Sequence, residues 1–168
     1  MFSVGFLDRF PIPNYGVVVT QNHVTGTFLG IDVTPNNLAD SLISDNTTND
    51  SASTGIVLQR STGNMIRGNQ THNNLFAGIN VANGSTENVV RDNQADNNGV
   101  AGVSATLGAT GNRFDRNSMH ANGWRTDTTL PRADARDLNP VLDGMLQNVW
   151  IGNDCDTDLP AGMICGVG

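Results

Sequence analysis

Short apolar runs, broken by asparagine and glycine, recur along this chain at a spacing of about 24 residues. An apolar residue followed three positions later by asparagine occurs at Val19 and Asn22, Ile43 and Asn46, Ile66 and Asn69, Val90 and Asn93, Phe114 and Asn117, and Trp150 and Asn153. Successive asparagines of this series lie 24, 23, 24, 24 and 36 residues apart. A glycine followed by alternating apolar positions forms a second series, at Gly30-Ile31-Asp32-Val33, Gly55-Ile56-Val57-Leu58, Gly78-Ile79-Asn80-Val81 and Gly102-Val103-Ser104-Ala105. Two further asparagine series keep the same step, at Asn64, Asn88, Asn112 and Asn148, and at Asn74, Asn98 and Asn122. Gly5-Phe6-Leu7-Asp8 reads as a degenerate first member of the glycine series.

Apolar runs this short, alternating in and out between turn residues, predict strands and not helices. A unit of one period is too small to bury its own apolar face, so it must stack on the next. If each unit is one coil, every strand pairs in parallel with its copy one period later, about 4.8 Å away. The interior columns are then Ile31, Ile56, Ile79 and Val103; Val33, Leu58, Val81 and Ala105; and Val19, Ile43, Ile66, Val90 and Phe114. Asparagine fits the bends because it tolerates left-handed backbone, and it can hydrogen-bond its own copy in the adjacent coil. The prediction is an all-β parallel solenoid of five to six coils, forming one domain over residues 1–168. Coils cover about 5–123 and 148–153, a charged loop is inserted at 124–147, and a C-terminal cap occupies 154–168.

Composition agrees with that reading. There is no lysine and a single glutamate, Glu87, while glycine (19 residues) and asparagine are abundant, which suits many tight turns and argues against a helical bundle. The net charge of −7 repels phosphate backbones, so nucleic acid is not an expected partner. No apolar run is long enough to span a membrane. The first ten residues, MFSVGFLDRF, do not have the form of a signal peptide, so a secreted chain would carry its signal upstream. Cys155 and Cys165, ten residues apart around Pro160 and Gly162, read as a disulfide stapling the C-terminus, which would imply an oxidising compartment. The alternative is two free thiols; no nearby histidine completes a zinc set.

The GIxV strands and the repeated segments IRGNQTHNN and VRDNQADNN resemble the right-handed parallel β-helix repeat proteins of the pectin lyase-like superfamily. The closing segment NVWIGNDCDTDLPAGMIC looks like that of secreted bacterial members. The resemblance implies a right-handed winding, a secreted or cell-surface location and a polysaccharide partner. It also directs attention to the outward positions of the GIxV strands, where enzymes of the superfamily hold substrate. Here those positions are Asp32, Val57, Asn80 and Ser104, then Thr34, Gln59, Ala82 and Thr106. They hold no pair of carboxylates of the kind glycosidases need, no lysine base, and no tyrosine (the only one is Tyr15).

Other columns carry more charge. His72, Asp96 and His120 fall on three successive coils, a stack that could take a divalent cation, the one cofactor the pattern suggests. Arg67 and Arg91 stack with Asp115 next, a pairing that could grip the carboxylate of an acidic sugar or be neutralised by Asp45, Asp92 and Asp115. The long inserted segment opens on Trp124, a stacking platform for a sugar or a lid on the last coil, and continues with Arg125, Asp127 and Arg132 as ligand contacts. Three functions fit. One is a carbohydrate-associated module, binding sugar or forming the C-terminal part of a lyase- or epimerase-like protein. Another is a structural protein that self-associates, or joins a preceding domain, through an uncapped first coil. The third is a stand-alone enzyme on acidic polysaccharide.

Overall fold

The computed structural model describes residues 2–3, 14–33 and 38–166. The chain winds through three parallel sheets in which the spatial order of strands is their order in sequence. The long sheet has seven strands, Phe2–Ser3, Ile31–Val33, Ile56–Gln59, Ala77–Ala82, Ala101–Ala105, Ala133–Asp137 and Asp158–Leu159. The second sheet has six, Val18–Thr20, Leu42–Ser44, Met65–Arg67, Val89–Arg91, Arg113–Asp115 and Val149–Ile151. The third also has six, His23–Thr25, Thr47–Asn49, Gln70–His72, Gln94–Asp96, Ser118–Met119 and Asp154–Cys155. The proposed first unit at Gly5–Asp8, and with it the uncapped first coil, and the outward position Thr34 lie outside the described residues.

The registers are those the columns require. Ile31 pairs with Ile56, Ile56 with Ile79 and Ile79 with Val103. Val19, Ile43, Ile66, Val90, Phe114 and Trp150 stack likewise along the second sheet. These side chains are buried and form one apolar core. The Phe114 and Trp150 rings stack at 3.9 Å between centroids, so Trp150 is core.

Gly30, Gly55, Gly78 and Gly102 stand at the start of four successive long-sheet strands because the coils touch there. A Cβ on Gly55 would lie 2.5 Å from Thr48 Oγ1 and 2.8 Å from the Gly78 carbonyl oxygen. No real Cβ sits that close, so a side chain would push two coils apart.

The asparagines form ladders. In the longest, Asn22, Asn46, Asn69, Asn93, Asn117 and Asn153, each Oδ1 accepts from both the backbone N–H and the Nδ2 of the asparagine one coil earlier. Asn64, Asn88, Asn112 and Asn148 repeat the arrangement. A third ladder, Asn74, Asn98 and Asn122, ends on Asp134, whose Oδ1 takes the place of an amide oxygen.

These ladder asparagines do not take the left-handed backbone, contrary to expectation. The residues with positive φ are those immediately before them: Gln21, Asp45, Gly68, Asp92, Arg116 and Gly152 in the first ladder, and Asn73, Asn97 and Ala121 in the third. A left-handed residue turns the corner and stays outside, which swings the following side chain inward. Each non-glycine at such a corner costs about 1–2 kcal/mol, and the buried amide bonds that the corner makes available offset that cost.

The segment expected to be a charged loop, 124–147, instead contains the strand Ala133–Asp137, paired with Ala101–Ala105. Ala133 and Ala135 point inward as small apolar residues, while Asp134, Arg136 and Asp137 are buried. The twelve extra residues are split around this strand. Asn98 precedes Gly102 by four residues where Asn122 precedes Asp134 by twelve; Ala105 precedes Asn112 by seven where Asp137 precedes Asn148 by eleven. The cap also departs from its expected bounds, since Asp154–Cys155 and Asp158–Leu159 are still strands of the solenoid. Beyond them the chain folds back. Cys155 and Cys165 form the expected disulfide, Ile164 is buried in the core, and the Gly166 amide donates to the Asn153 carbonyl.

The ladder's contribution is measurable. Asn93 accepts two hydrogen bonds and its Nδ2 donates to the Ile66 carbonyl and to Asn117 Oδ1, all buried. Asn93→Ala strands partners on both neighbouring coils and should lower the unfolding free energy in urea by about 3 kcal/mol or more. Asn73→Gly, at an exposed left-handed corner, should be neutral to within about 1 kcal/mol.

Candidate functional site

On the outer face of the long sheet the column of outward residues is Asp32, Val57, Asn80, Ser104 and Arg136. All five are buried, so loops cover this face. The cover is interrupted by a recess of about 270 Å³ lined by Phe28, Leu29, Ser53, Thr54, Val57, Gln59, Phe76 and Asn80. The winding explains it. Counting back two residues from the glycine that heads each long-sheet strand gives Phe28, Ser53, Phe76 and Val100 on successive coils. The Phe76 amide donates to the Ser53 carbonyl at 2.8 Å, which fixes the stacking of those two coils. A small serine between two phenylalanines leaves a slot about one ring wide, its aromatic walls two coils or roughly 10 Å apart at the backbone.

The floor is polar at one point. Asn80 is 9% exposed, and its Oδ1 is buried with no hydrogen-bond partner. A buried amide oxygen without a partner costs about 1–3 kcal/mol. At the rim, Gln59 Oε1 accepts from Asn83 Nδ2 of the next coil at 3.0 Å, which orients the Gln59 amide.

Behind Phe76 lies Arg136, 1% exposed. Its Nε donates to Ser104 Oγ (2.8 Å) and its Nη1 to the Pro131 carbonyl (2.7 Å), and its guanidinium carbon sits 5.1 Å from the Phe76 centroid. No carboxylate of the described residues lies within ion-pair distance of it. Burial pulls its pKa down to about 10, so it stays charged at neutral pH. The cation on the ring face holds Phe76 as a fixed wall. The segment before Arg136 braces the same wall, because Arg125 Nη1 donates to the Leu75 carbonyl (3.4 Å) and Trp124 Nε1 to the Asn97 carbonyl (2.9 Å).

A parallel solenoid with this register, this period and inward asparagine ladders is matched over residues 12–131 by the family described as right handed beta helix region. The chain belongs to that family. No curated protein and no solved structure matches it.

The candidates picked out from sequence fall on three separate faces of the β-helix. Trp124, Arg125, Asp127 and Arg132 come together on the segment beside the recess. Arg125 Nε meets Asp127 Oδ1 at 2.6 Å, Arg132 Nη1 donates to the Arg125 carbonyl, and the Trp124 ring is half exposed with its N–H already committed. None of the four lines the recess, and only Arg125 reaches the segment at its wall, through the Leu75 carbonyl.

Arg67 and Arg91 are paired on the second sheet, with Asp115 next. The C-terminal part of this column is neutralised internally. Arg116 takes Asp115 (3.1 Å) and Asp92 (2.9 Å), Arg113 also meets Asp115 (3.2 Å), and Arg91 approaches Asp92 at 3.7 Å. Arg67, the register partner of Arg91, forms no ion pair with a described residue.

On the third sheet His72 pairs with Asp96, and the His120 amide donates to Asp96 Oδ1 at 3.0 Å. The stack exists, but its side chains do not converge. Asp96 Oδ2 accepts from Gln94 at 2.6 Å, while the His120 ring turns to the following coil, with Nδ1 3.3 Å from Asp156 and Nε2 3.4 Å from Asp154. Among the described residues no three His, Cys, Asp or Glu side chains form a group that could hold a metal ion.

Phe28 and Phe76 are the residues a search for charged motifs passes over. The signal was in the repeat itself, where phenylalanine stands two residues before the glycine in LGIDV and AGINV but serine stands there in TGIVL.

The His120 contact has a pH signature. Burial lowers the His120 pKa, while the hydrogen bonds and charges of Asp156 and Asp154 raise it, and the net direction is up from 6.5. The pair therefore stabilises the fold fully below the unfolded value and is lost as pH rises through the higher folded value. Thermal unfolding of wild type and His120→Gln should show a wild-type advantage at pH 5.5 that disappears by about pH 8.5. The advantage should be small, since the ring is a third exposed, and smaller still in high salt.

Proposed function

We propose that this β-helix is a carbohydrate-associated module, acting outside the reducing cytosol, that seats one sugar ring in the recess on the outer face of its long sheet. The observation that carries this reading is the slot between Phe28 and Phe76 with the unpartnered Asn80 oxygen at its base. Aromatic faces pack against the C–H faces of a pyranose, and the polar lining groups Ser53, Thr54, Gln59 and Asn80 can meet its hydroxyls. Phe28 is 67% exposed, an apolar surface without a structural task in the core. The Cys155–Cys165 bridge supports a secreted or cell-surface location. No ionisable side chain lines the recess, so it is a binding site and not a cleavage site.

The Asn80 amide separates binding from stability. Replacing a buried group that lacks a partner by an apolar one of similar shape removes a desolvation cost. Asn80→Leu should therefore unfold at the same or higher urea concentration than wild type, yet bind oligosaccharide at least about tenfold more weakly by titration calorimetry. A variant that binds as tightly as wild type would remove the recess from the proposal.

A further inference from the structure

We infer that the sugar taken by this recess is uncharged, a neutral hexose or pentose unit within a chain, and not a uronate. The inference rests on the carbohydrate reading above and specifies its substrate class. Every lining residue is neutral: Phe28, Leu29, Ser53, Thr54, Val57, Gln59, Phe76 and Asn80. A carboxylate brought against Phe28, Leu29, Val57 and Phe76 would lose its water without gaining a cation, a cost of several kcal/mol for an ion left unpaired. A hydroxyl both donates and accepts, so it matches the neutral hydroxyls and amides of Ser53, Thr54, Gln59 and Asn80 in the lining.

The neighbouring charges strengthen this preference. Arg136, the arginine of the outward column, is sealed behind Phe76 with its Nε and Nη1 committed to Ser104 and Pro131, and the exposed Arg60, which follows Gln59 at the rim, is not itself a lining residue. Arg67 and Arg91 stand on a different sheet. The chain as a whole carries −7, a field that disfavours polyanionic chains. Size sets the remaining limit. A recess of about 270 Å³ is smaller than those that hold drug-sized ligands, and suits one ring of a longer chain.

The test is titration calorimetry of the full chain, with neutral hexasaccharides (β-1,4-glucan, β-1,4-mannan, β-1,4-xylan) set against hexagalacturonate and hexaguluronate. The Phe28→Ala variant, which alters an exposed side chain and should leave the fold intact, reports whether the recess is the site. The expected result is a neutral hexasaccharide bound at least about tenfold more tightly than either uronate. Its affinity should change less than about twofold between roughly 50 and 500 mM salt and fall at least about tenfold in Phe28→Ala. Uronate binding that equals or exceeds neutral binding and is lost in Phe28→Ala would overturn the inference while leaving the carbohydrate reading in place. Neutral binding that survives Phe28→Ala would overturn the assignment to the recess. Failure of every hexasaccharide to bind would defeat the carbohydrate reading and this inference together.

Discussion

The stacking of each coil on the next is the constraint from which the other features follow. A coil of about two dozen residues has three short strands, and neither its backbone groups nor its inward side chains are satisfied until an equivalent coil lies beside it. The asparagine ladders make that dependence specific. An amide at the inner corner accepts from the coil before and donates to the coil after, so each rung completes hydrogen bonds that the next one needs. Where a ladder ends, a residue of different chemistry must close it. Asp134 does so for the third ladder, accepting from Asn122 with one oxygen and from the Thr157 hydroxyl and amide with the other.

The same constraint explains which local rules the chain breaks. Thirteen described non-glycine residues adopt positive φ, among them Arg60, Glu87, Arg116 and Ala121, none of which favours that region. All but Asn83 and Asp143, which precede glycines in turns, stand at corners where a left-handed residue turns the chain and sends its successor inward. The glycines heading the long-sheet strands answer a different need, the contact of backbone with backbone between coils. Local preference is overruled where the period requires it, and glycine is kept where no other residue fits.

A repeat so strictly built creates function by departing from itself. Ser53 between Phe28 and Phe76 opens a slot in an otherwise covered face, and Asn80 follows Val57 in the column beneath it. The long step of 36 residues places Arg136 where the pattern would put an outward side chain. That guanidinium then reaches back over Ser104 to Phe76, and the segment carrying Trp124 and Arg125 braces the same wall from outside. Of the charged residues that stood out in the sequence, Arg125 reaches the segment at the wall of the recess, while Arg91, Asp115 and His120 meet charged neighbours away from it.

The strand pairing, the interior columns, the three asparagine series, the core position of Trp150 and the disulfide were all legible in the sequence, because a one-dimensional repeat maps sequence distance directly onto position in the stack. The strand Ala133–Asp137 was not, since Ala135 stands where earlier coils have isoleucine or valine, and a buried Asp137, held by Asn139, Asn148 and Trp150, stands where they have valine, leucine or alanine and carries no apolar signal. Side-chain direction was equally out of reach. His120 shares a column with His72 and Asp96 but turns to Asp154 and Asp156, a choice made by the coil that the long insertion delivers. The sequence by itself determined the period, and so the winding and its core. Only the tertiary structure decided which outward face is covered, where that cover is open and what each charge meets, because those depend on how unequal insertions fold over an otherwise regular stack.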